Sequence, residues 1–126
     1  MVYTEAEKKQ LDNILKAFSG FIREQNYFDI VYSEKVGYVK ILVEMESEPA
    51  SALATAGEML DTLCDEFIAE TVFSPQNPSH RLTEEAKTES RSRLMAIIAQ
   101  IEEDREYYLD YVTRYIQECY DKYDND

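Results

Sequence analysis

Tyr27-Phe28-Asp29-Ile30-Val31-Tyr32, then Ser33-Glu34-Lys35-Val36-Gly37, then Tyr38-Val39-Lys40-Ile41-Leu42-Val43-Glu44-Met45 is the stretch on which the fold class turns. Both outer runs are rich in β-branched and aromatic residues, and the short connection contains a glycine, which is the pattern of a β-hairpin. The hairpin is expected over about residues 28–46. In its second run Val39, Ile41, Val43 and Met45 share one face, and Tyr38, Lys40, Leu42 and Glu44 the other. An isolated two-stranded hairpin is marginal in water. It must therefore lie on helices, or pair with a second copy through an exposed edge.

The flanking sequence supplies the helices. Upstream, Thr4 and Glu7 have capping-box spacing. Leu11, Ile14, Leu15, Phe18, Phe21 and Ile22 follow at steps of three and four, so a helix is expected over about residues 4–26. Gly20 inside it costs up to about 1 kcal/mol against Ala and suggests a close approach to another element. Downstream, Ser47-Glu48-Pro49 ends the hairpin. Ala52, Leu53, Ala56, Leu60, Leu63, Cys64, Phe67 and Ile68 then give a second helical stripe over about residues 50–72. Pro75 and Pro78 make residues 73–82 a loop.

Thr83-Glu84-Glu85-Ala86 opens a further helix, with Leu94, Ile98, Ile101, Tyr108, Leu109, Val112, Ile116, Cys119, Tyr120 and Tyr123 as its periodic residues. No Gly or Pro occurs from Thr83 to Asp126, so the pattern reads as one long helix over about residues 83–123. Such a helix is about 60 Å long at about 1.5 Å per residue, whereas a domain of this size has a radius of gyration of about 14 Å. It overhangs its domain, or it breaks near Glu102-Glu103-Asp104. If it overhangs, the economical cover is a second copy in an isologous dimer, with Tyr108, Val112, Tyr115 and Ile116 as the seam. The expected fold is α+β, in the order α-β-β-α-α, with a small antiparallel hairpin packed on helices and a long C-terminal helix. A chain of 126 residues is expected to form a single domain.

The charge excludes some functions. Thirteen basic against 26 acidic residues give −13, which argues against direct binding of nucleic acid or of an anionic membrane. No apolar run approaches the roughly 20 residues of a bilayer span, and no basic start followed by an apolar stretch marks a signal peptide. Cys64 and Cys119 form no disulfide framework and fit a reducing cytosol, so a cytoplasmic location is expected. Both fall on apolar faces, as buried small hydrophobes do. The charge is uneven: residues 1–40 are neutral, 41–80 carry eight acids and no Lys or Arg, 81–101 carry +1, and 102–126 carry −6.

Few constellations could carry chemistry. His80, the only histidine, lies in the Pro-containing loop, which excludes a His cluster for zinc and the Glu-x-x-His pairs of di-iron bundles. No nucleophile elbow, Cys-His motif or Gly-rich phosphate loop is present. The tail Asp121-Lys122-Tyr123-Asp124-Asn125-Asp126 lacks the Gly and final Glu of a calcium loop. Glu58, Asp61 and Asp65, and separately Glu103, Glu106 and Asp110, each place three carboxylates on one helix face. Two such helices side by side can hold Mg²⁺. This resembles the ExxE and ExxD helices of all-α nucleoside triphosphate pyrophosphatases of the MazG type, which implies Mg²⁺-dependent hydrolysis of a nucleotide. The inserted hairpin and the absence of Lys and Arg through 41–80 depart from that pattern.

Residues 107–123 hold six of the ten tyrosines, interleaved with Glu106, Asp110, Glu118 and Asp121. Tyr joins an apolar body to a polar tip and suits interfaces. Tyr108, Tyr115 and Tyr123 fit a core or a dimer seam, whereas Tyr107 and Tyr111 lie nearer the acidic side. Lacking a catalytic set, a metal site or a cofactor motif, the chain reads as a non-enzymatic module that binds a protein with a basic surface. Its expected contact residues are Glu102, Glu103, Glu106, Tyr107, Asp110 and Tyr111, with Glu58, Asp61 and Asp65. In size and charge it resembles the small acidic nucleic-acid mimics of phages and mobile elements, including anti-restriction and anti-CRISPR inhibitors. That resemblance implies that carboxylates stand where phosphates would. A structural homodimer of unassigned role is the remaining expectation.

Overall fold

A computed structural model of the chain describes residues 3–25, 27–43, 51–72 and 82–124. Helix α1 covers Glu5–Glu24. It starts there because the Thr4 hydroxyl accepts the Glu7 N–H (3.1 Å) and the Glu7 carboxylate accepts the Thr4 N–H (2.9 Å). That backbone bond holds the Glu7 carboxyl below its usual range. Leu11, Ile14, Phe18, Phe21 and Ile22 form its buried face. Gly20 marks no close approach: it is exposed, with nothing within 4 Å of where a Cβ would stand.

Strands β1 (Phe28–Ser33) and β2 (Gly37–Leu42) form the expected antiparallel hairpin, in register from Phe28↔Leu42 to Ser33↔Gly37. Residues 44–46, its expected end, lie outside the described residues. Gly37 closes the turn with φ +81°, a left-handed conformation that costs glycine little. A Cβ there would also fall 2.6 Å from Cζ of Tyr3. The face turned to α1 carries Phe28, Ile30 and Tyr38, all buried, with the Phe28 ring 6.3 Å from that of Phe21. Lys40 shares this face and lays its ammonium 5.4 Å over the Phe28 ring. The aliphatic face is the more open one: Val39 and Ile41 are half-buried and Val43 is exposed.

Two features correct the expectation of a bare hairpin followed by a helix from residue 50. First, Ser51–Ala52 forms a third strand, β3, pairing antiparallel with β2 at Val39↔Ala52 and Lys40↔Ser51. The sheet order is β1-β2-β3. Second, helix α2 begins only at Ala56 and runs to Val72. The Thr55 hydroxyl accepts the Glu58 N–H (3.0 Å) and the Glu58 carboxylate accepts the Ala54 N–H (2.7 Å). This local cap fixes the helix start, and β2 captures the residues before it.

Tyr3 completes the sheet. At the Tyr38/Leu53 position the Leu53 N–H donates to the Tyr38 carbonyl (2.9 Å), as in an ordinary ladder. The return bond is interrupted. The Tyr38 N–H donates to the Tyr3 hydroxyl oxygen (3.0 Å), and the Tyr3 hydroxyl donates to the Leu53 carbonyl. The Tyr3 ring stacks on Tyr38, with centroids 6.2 Å apart. The Tyr38 hydroxyl in turn donates to Asp12 on α1, which also takes Lys8 at 3.0 Å.

The chain divides into two compact units, Met1–Met59 and Leu60–Asp126. The second contains most of α2, with Leu60, Leu63, Cys64, Phe67 and Ile68 buried, then helices α3 (Glu84–Ile98) and α4 (Arg105–Asp124). Thr83 caps α3 by accepting the Ala86 N–H at 3.1 Å. The loop expected over 73–82, with His80, lies outside the described residues except for Leu82. The single helix expected over 83–123 is corrected: it breaks at residues 99–104, where the competing reading placed the break. Gln100 and Ile101 donate to Ile97 and Ile98 in tight turns, Ile101 buries its side chain, and Asp104 takes φ +58°. The chain then returns along α3. The Tyr120 hydroxyl donates to the Lys87 carbonyl (3.1 Å), and the Tyr120 ring lies 5.4 Å from the Arg91 guanidinium. Leu94 and Ile98 of α3, and Tyr108, Val112, Ile116 and Tyr120 of α4, are buried.

The fold is therefore mixed α+β, in the order α-β-β-β-α-α-α, with a long C-terminal helix. No helix among the described residues is long and apolar enough to cross a membrane. Replacing Tyr3 with Phe keeps the ring but strands the Tyr38 N–H and the Leu53 carbonyl. A loss of about 1–3 kcal/mol in unfolding free energy is expected, by urea denaturation at neutral pH. An unchanged midpoint would show that the inserted hydroxyl is dispensable.

Candidate functional site

The second unit gathers most of the residues singled out by sequence. On α2, Asp61 and Asp65 are four apart; on α4, Tyr111 and Tyr115 are four apart. The Tyr111 hydroxyl donates to Asp61 (2.8 Å) and the Tyr115 hydroxyl to Asp65 (2.7 Å). Both pairs advance in the same sense by one helical turn, so α2 and α4 run parallel here, joined by two tyrosine–carboxylate rungs. The Cys119 thiol, one turn beyond Tyr115, also reaches Asp65 at 3.8 Å.

Burial and then the bond to Asp61 push the Tyr111 hydroxyl up to about 12. Burial and the bond to Asp65 raise Tyr115 further in the same direction. Both hydroxyls are thus donors across the physiological range. Burial also raises the thiols of Cys64 and Cys119, with Asp65 adding to the effect at Cys119. Neither is a thiolate nucleophile at neutral pH. Cys64 is fully buried, as expected, while Cys119 is half-buried.

Tyr107, Tyr111 and Tyr115 follow one another at steps of four along α4, and the ring centroids of Tyr107 and Tyr111 are 6.3 Å apart. The stripe grades from outside to inside: Tyr107 is 61% exposed, while Tyr111 and Tyr115 are half-buried. Around Tyr107 the chain is open. Glu102, Glu103, Asp104, Arg105 and Glu106 are all exposed, and so is Asp110 one turn on. The turn before α4 and its first two turns thus form an acidic corner with an aromatic at its centre. Glu106 sits in the first turn of α4, where the helix dipole favours negative charge. Asp104 belongs to this corner, although sequence reading left it out of the contact set; its signal was the unbroken run Glu102-Glu103-Asp104. Beside the tyrosine stripe, Tyr111, Arg114, Tyr115 and Glu118 line a shallow cavity of about 220 Å³.

The expected contact set is therefore divided. Glu102, Glu103, Glu106, Tyr107 and Asp110 form the corner. Asp61, Asp65 and Tyr111 belong to the rungs. Glu58 lies in the first unit, where it caps α2. The expected dimer seam is corrected in its premise, because the helix that was to overhang folds back. Tyr108, Val112 and Ile116 are buried in the single chain, at 3%, 0% and 0% exposure, and Tyr115 bonds Asp65. The side chain of Tyr123 lies outside the described residues. The two carboxylate triads are likewise spent differently: Glu58 on a cap, Asp61 and Asp65 on tyrosine hydroxyls, and Glu103, Glu106 and Asp110 at the corner. Among the described residues no three His, Cys, Asp or Glu side chains converge in a way that could hold a metal ion.

No family model matches the chain, and neither a curated protein nor a solved structure matches it.

The rungs have a pH signature. Because the folded-state pKa of Tyr111 lies above the ordinary value near 10, the folded state holds this proton more tightly than the unfolded chain. The stability contributed is complete below about pH 10 and drains away as pH rises towards about 12. Wild type should melt above Tyr111→Phe at pH 8, with the gap narrowing between pH 10 and 12. A gap constant over that window would contradict the Tyr111–Asp61 rung.

Proposed function

We propose that the chain is a non-enzymatic docking module that binds a protein through a basic surface, using the acidic corner of its second unit. The observation that supports this reading is the corner itself. Glu102, Glu103, Asp104, Glu106 and Asp110 are exposed together around Tyr107, while the other tyrosines of α4 with described side chains are buried or half-buried. Exposed carboxylates raise the association rate with a positively charged surface and disfavour acidic partners. A central exposed tyrosine supplies apolar contact area at small entropic cost. A surface rich in Lys and Arg is the electrostatic footprint of a nucleic-acid-binding protein. The module would then act as an inhibitor or regulator that occupies that surface, its carboxylates replacing phosphates and Tyr107 offering the flat face of a base.

The test is a charge reversal of exposed residues only. The full chain and its Glu103→Lys/Glu106→Lys/Asp110→Lys variant are immobilised, exposed to lysate of the encoding organism and eluted with stepped salt. Wild type is expected to retain a nucleic-acid-binding protein that elutes as salt rises and that added nucleic acid displaces. The variant, with an unchanged melting temperature, is expected to retain at most one-tenth as much. Equal retention by both would remove the corner from the binding surface.

A further inference from the structure

The sheet of the first unit carries a second surface, chemically unlike the acidic corner. In the order β1-β2-β3, strand β1 is an outer strand, with β2 as its one strand neighbour among the described residues. The Val43 N–H donates to the Tyr27 carbonyl at 2.9 Å, which fixes the phase of the ladder. Tyr27, Asp29, Val31 and Ser33 aim their backbone groups at β2, and Phe28, Ile30 and Tyr32 aim theirs outward. The phase agrees at β2, where Tyr38, opposite Tyr32, turns its carbonyl to Leu53 instead of to β1.

Outer strands of soluble proteins are commonly blunted by lysine, proline, a bulge or a short length. Strand β1, Phe28-Asp29-Ile30-Val31-Tyr32-Ser33, has six residues, no lysine and no proline, and its register with β2 is unbroken. Besides Asp29, its exposed side chains are Val31 at 38% and Tyr32 at 40%, with Tyr27 just before it at 41%. One protective device is present. Asp29 folds its carboxylate back onto the outward N–H of Ile30 (2.8 Å).

Charge selects the occupant. The chain carries −13, so two copies repel each other over most of their sequence. Residues 1–43, which hold α1, β1 and β2, carry six basic and six acidic residues and so no net charge. The segment that meets its copy at this edge therefore adds no net repulsion of its own. The edge is also self-complementary. With Ile30 on a two-fold axis, the outward groups of Phe28, Ile30 and Tyr32 meet those of Tyr32, Ile30 and Phe28 of the second copy. Three hydrogen-bonded pairs form, the most this strand allows, and the two sheets become one of six strands.

We propose that β1 is a self-association edge, where a second copy of the chain pairs antiparallel about Ile30 after displacing the Asp29 carboxylate from the Ile30 N–H. Asp29 is then a brake on the pairing: in the paired state it faces Val31 of the second copy, and its release is part of association.

The full chain is compared with Val31→Lys and Asp29→Asn by sedimentation equilibrium over a wide concentration range. Amide hydrogen exchange is followed at low and high concentration. Both substituted positions are exposed, so melting temperature at low concentration reports whether each variant folds. The expected result is a mass rising with concentration from 14.7 kDa towards twice that value. The Phe28 and Tyr32 amides should gain at least tenfold protection in step. Val31→Lys should stay at the monomer mass, and Asp29→Asn should dimerise at least threefold more tightly. A wild-type chain monomeric throughout would overturn the proposal. So would a dimer whose Phe28 and Tyr32 amides gain no protection, or one that Val31→Lys leaves intact.

Discussion

The reversal of the chain between α3 and α4 is the constraint from which the second unit follows. Residues 83–124 carry more apolar and tyrosine side chains than one straight helix could cover alone. Six exposed residues, from Glu102 to Tyr107, carry the chain around, with Asp104 in the left-handed region. Aspartate is among the few non-glycine residues that enter that region at modest cost. Once the chain returns, Leu94, Ile98, Tyr108, Val112, Ile116 and Tyr120 share one core. The turn is left outside it, where its carboxylates are solvated and the first turn of α4 favours their charge. The acidic corner is thus what remains on the surface when the apolar stripe is folded inward.

The first unit solves a different problem. A hairpin with one covered face needs more strand partners than a two-residue β3 supplies, and the ladder between β2 and β3 is incomplete at Tyr38 and Leu53. A residue far upstream fills the gap. Burial raises the pKa of the Tyr3 hydroxyl and keeps it a donor, so it bridges an amide and a carbonyl at once. Gly37 is required for the same reason as Tyr3: any Cβ at that position would occupy the space of the Tyr3 ring. The turn, the inserted ring and the start of α1 are parts of one arrangement.

This explains which parts of the fold were legible in the chain. The Thr4–Glu7 cap, the α1 stripe and the β1–β2 hairpin are local, and each was readable from a few consecutive residues. The third strand was not, because two residues carry no period and their pairing with Val39 and Lys40 is decided by β2. Strand β3 and the Thr55–Glu58 cap together moved the start of α2 from about residue 50 to Ala56. The break in the last helix had no Gly or Pro to announce it; only the length argument favoured one. The hairpin faces were read correctly as a partition but not as a polarity. The side with Tyr38 and Lys40 is the covered one, because a tyrosine hydroxyl can reach Asp12 and a lysine can lie across Phe28. At the site, the four-residue spacing of Asp61 and Asp65 was visible. Its pairing with Tyr111 and Tyr115 depends on α2 and α4 running parallel, which no spacing within either helix reveals.

The choice of partner for those carboxylates bears on function. Asp61 and Asp65, one turn apart on the same face, repel each other, and the usual remedy is a lysine or arginine on the neighbouring helix. Such a residue would order the carboxylates and cancel their charge. A tyrosine hydroxyl orders them with a hydrogen bond and brings no positive charge of its own. From Leu60 onward the chain keeps 16 acidic against seven basic residues, and two of those acids each accept a tyrosine hydroxyl. Tyrosine also fills the volume that a seam between helices requires, which serine or threonine would leave empty. The repeated Tyr at steps of four on α4 thus reconciles two demands that ordinarily conflict: a packed helix interface, and a surface that stays strongly negative. Tyr107 continues the stripe past the last rung into solvent, where the same side chain becomes available to a partner.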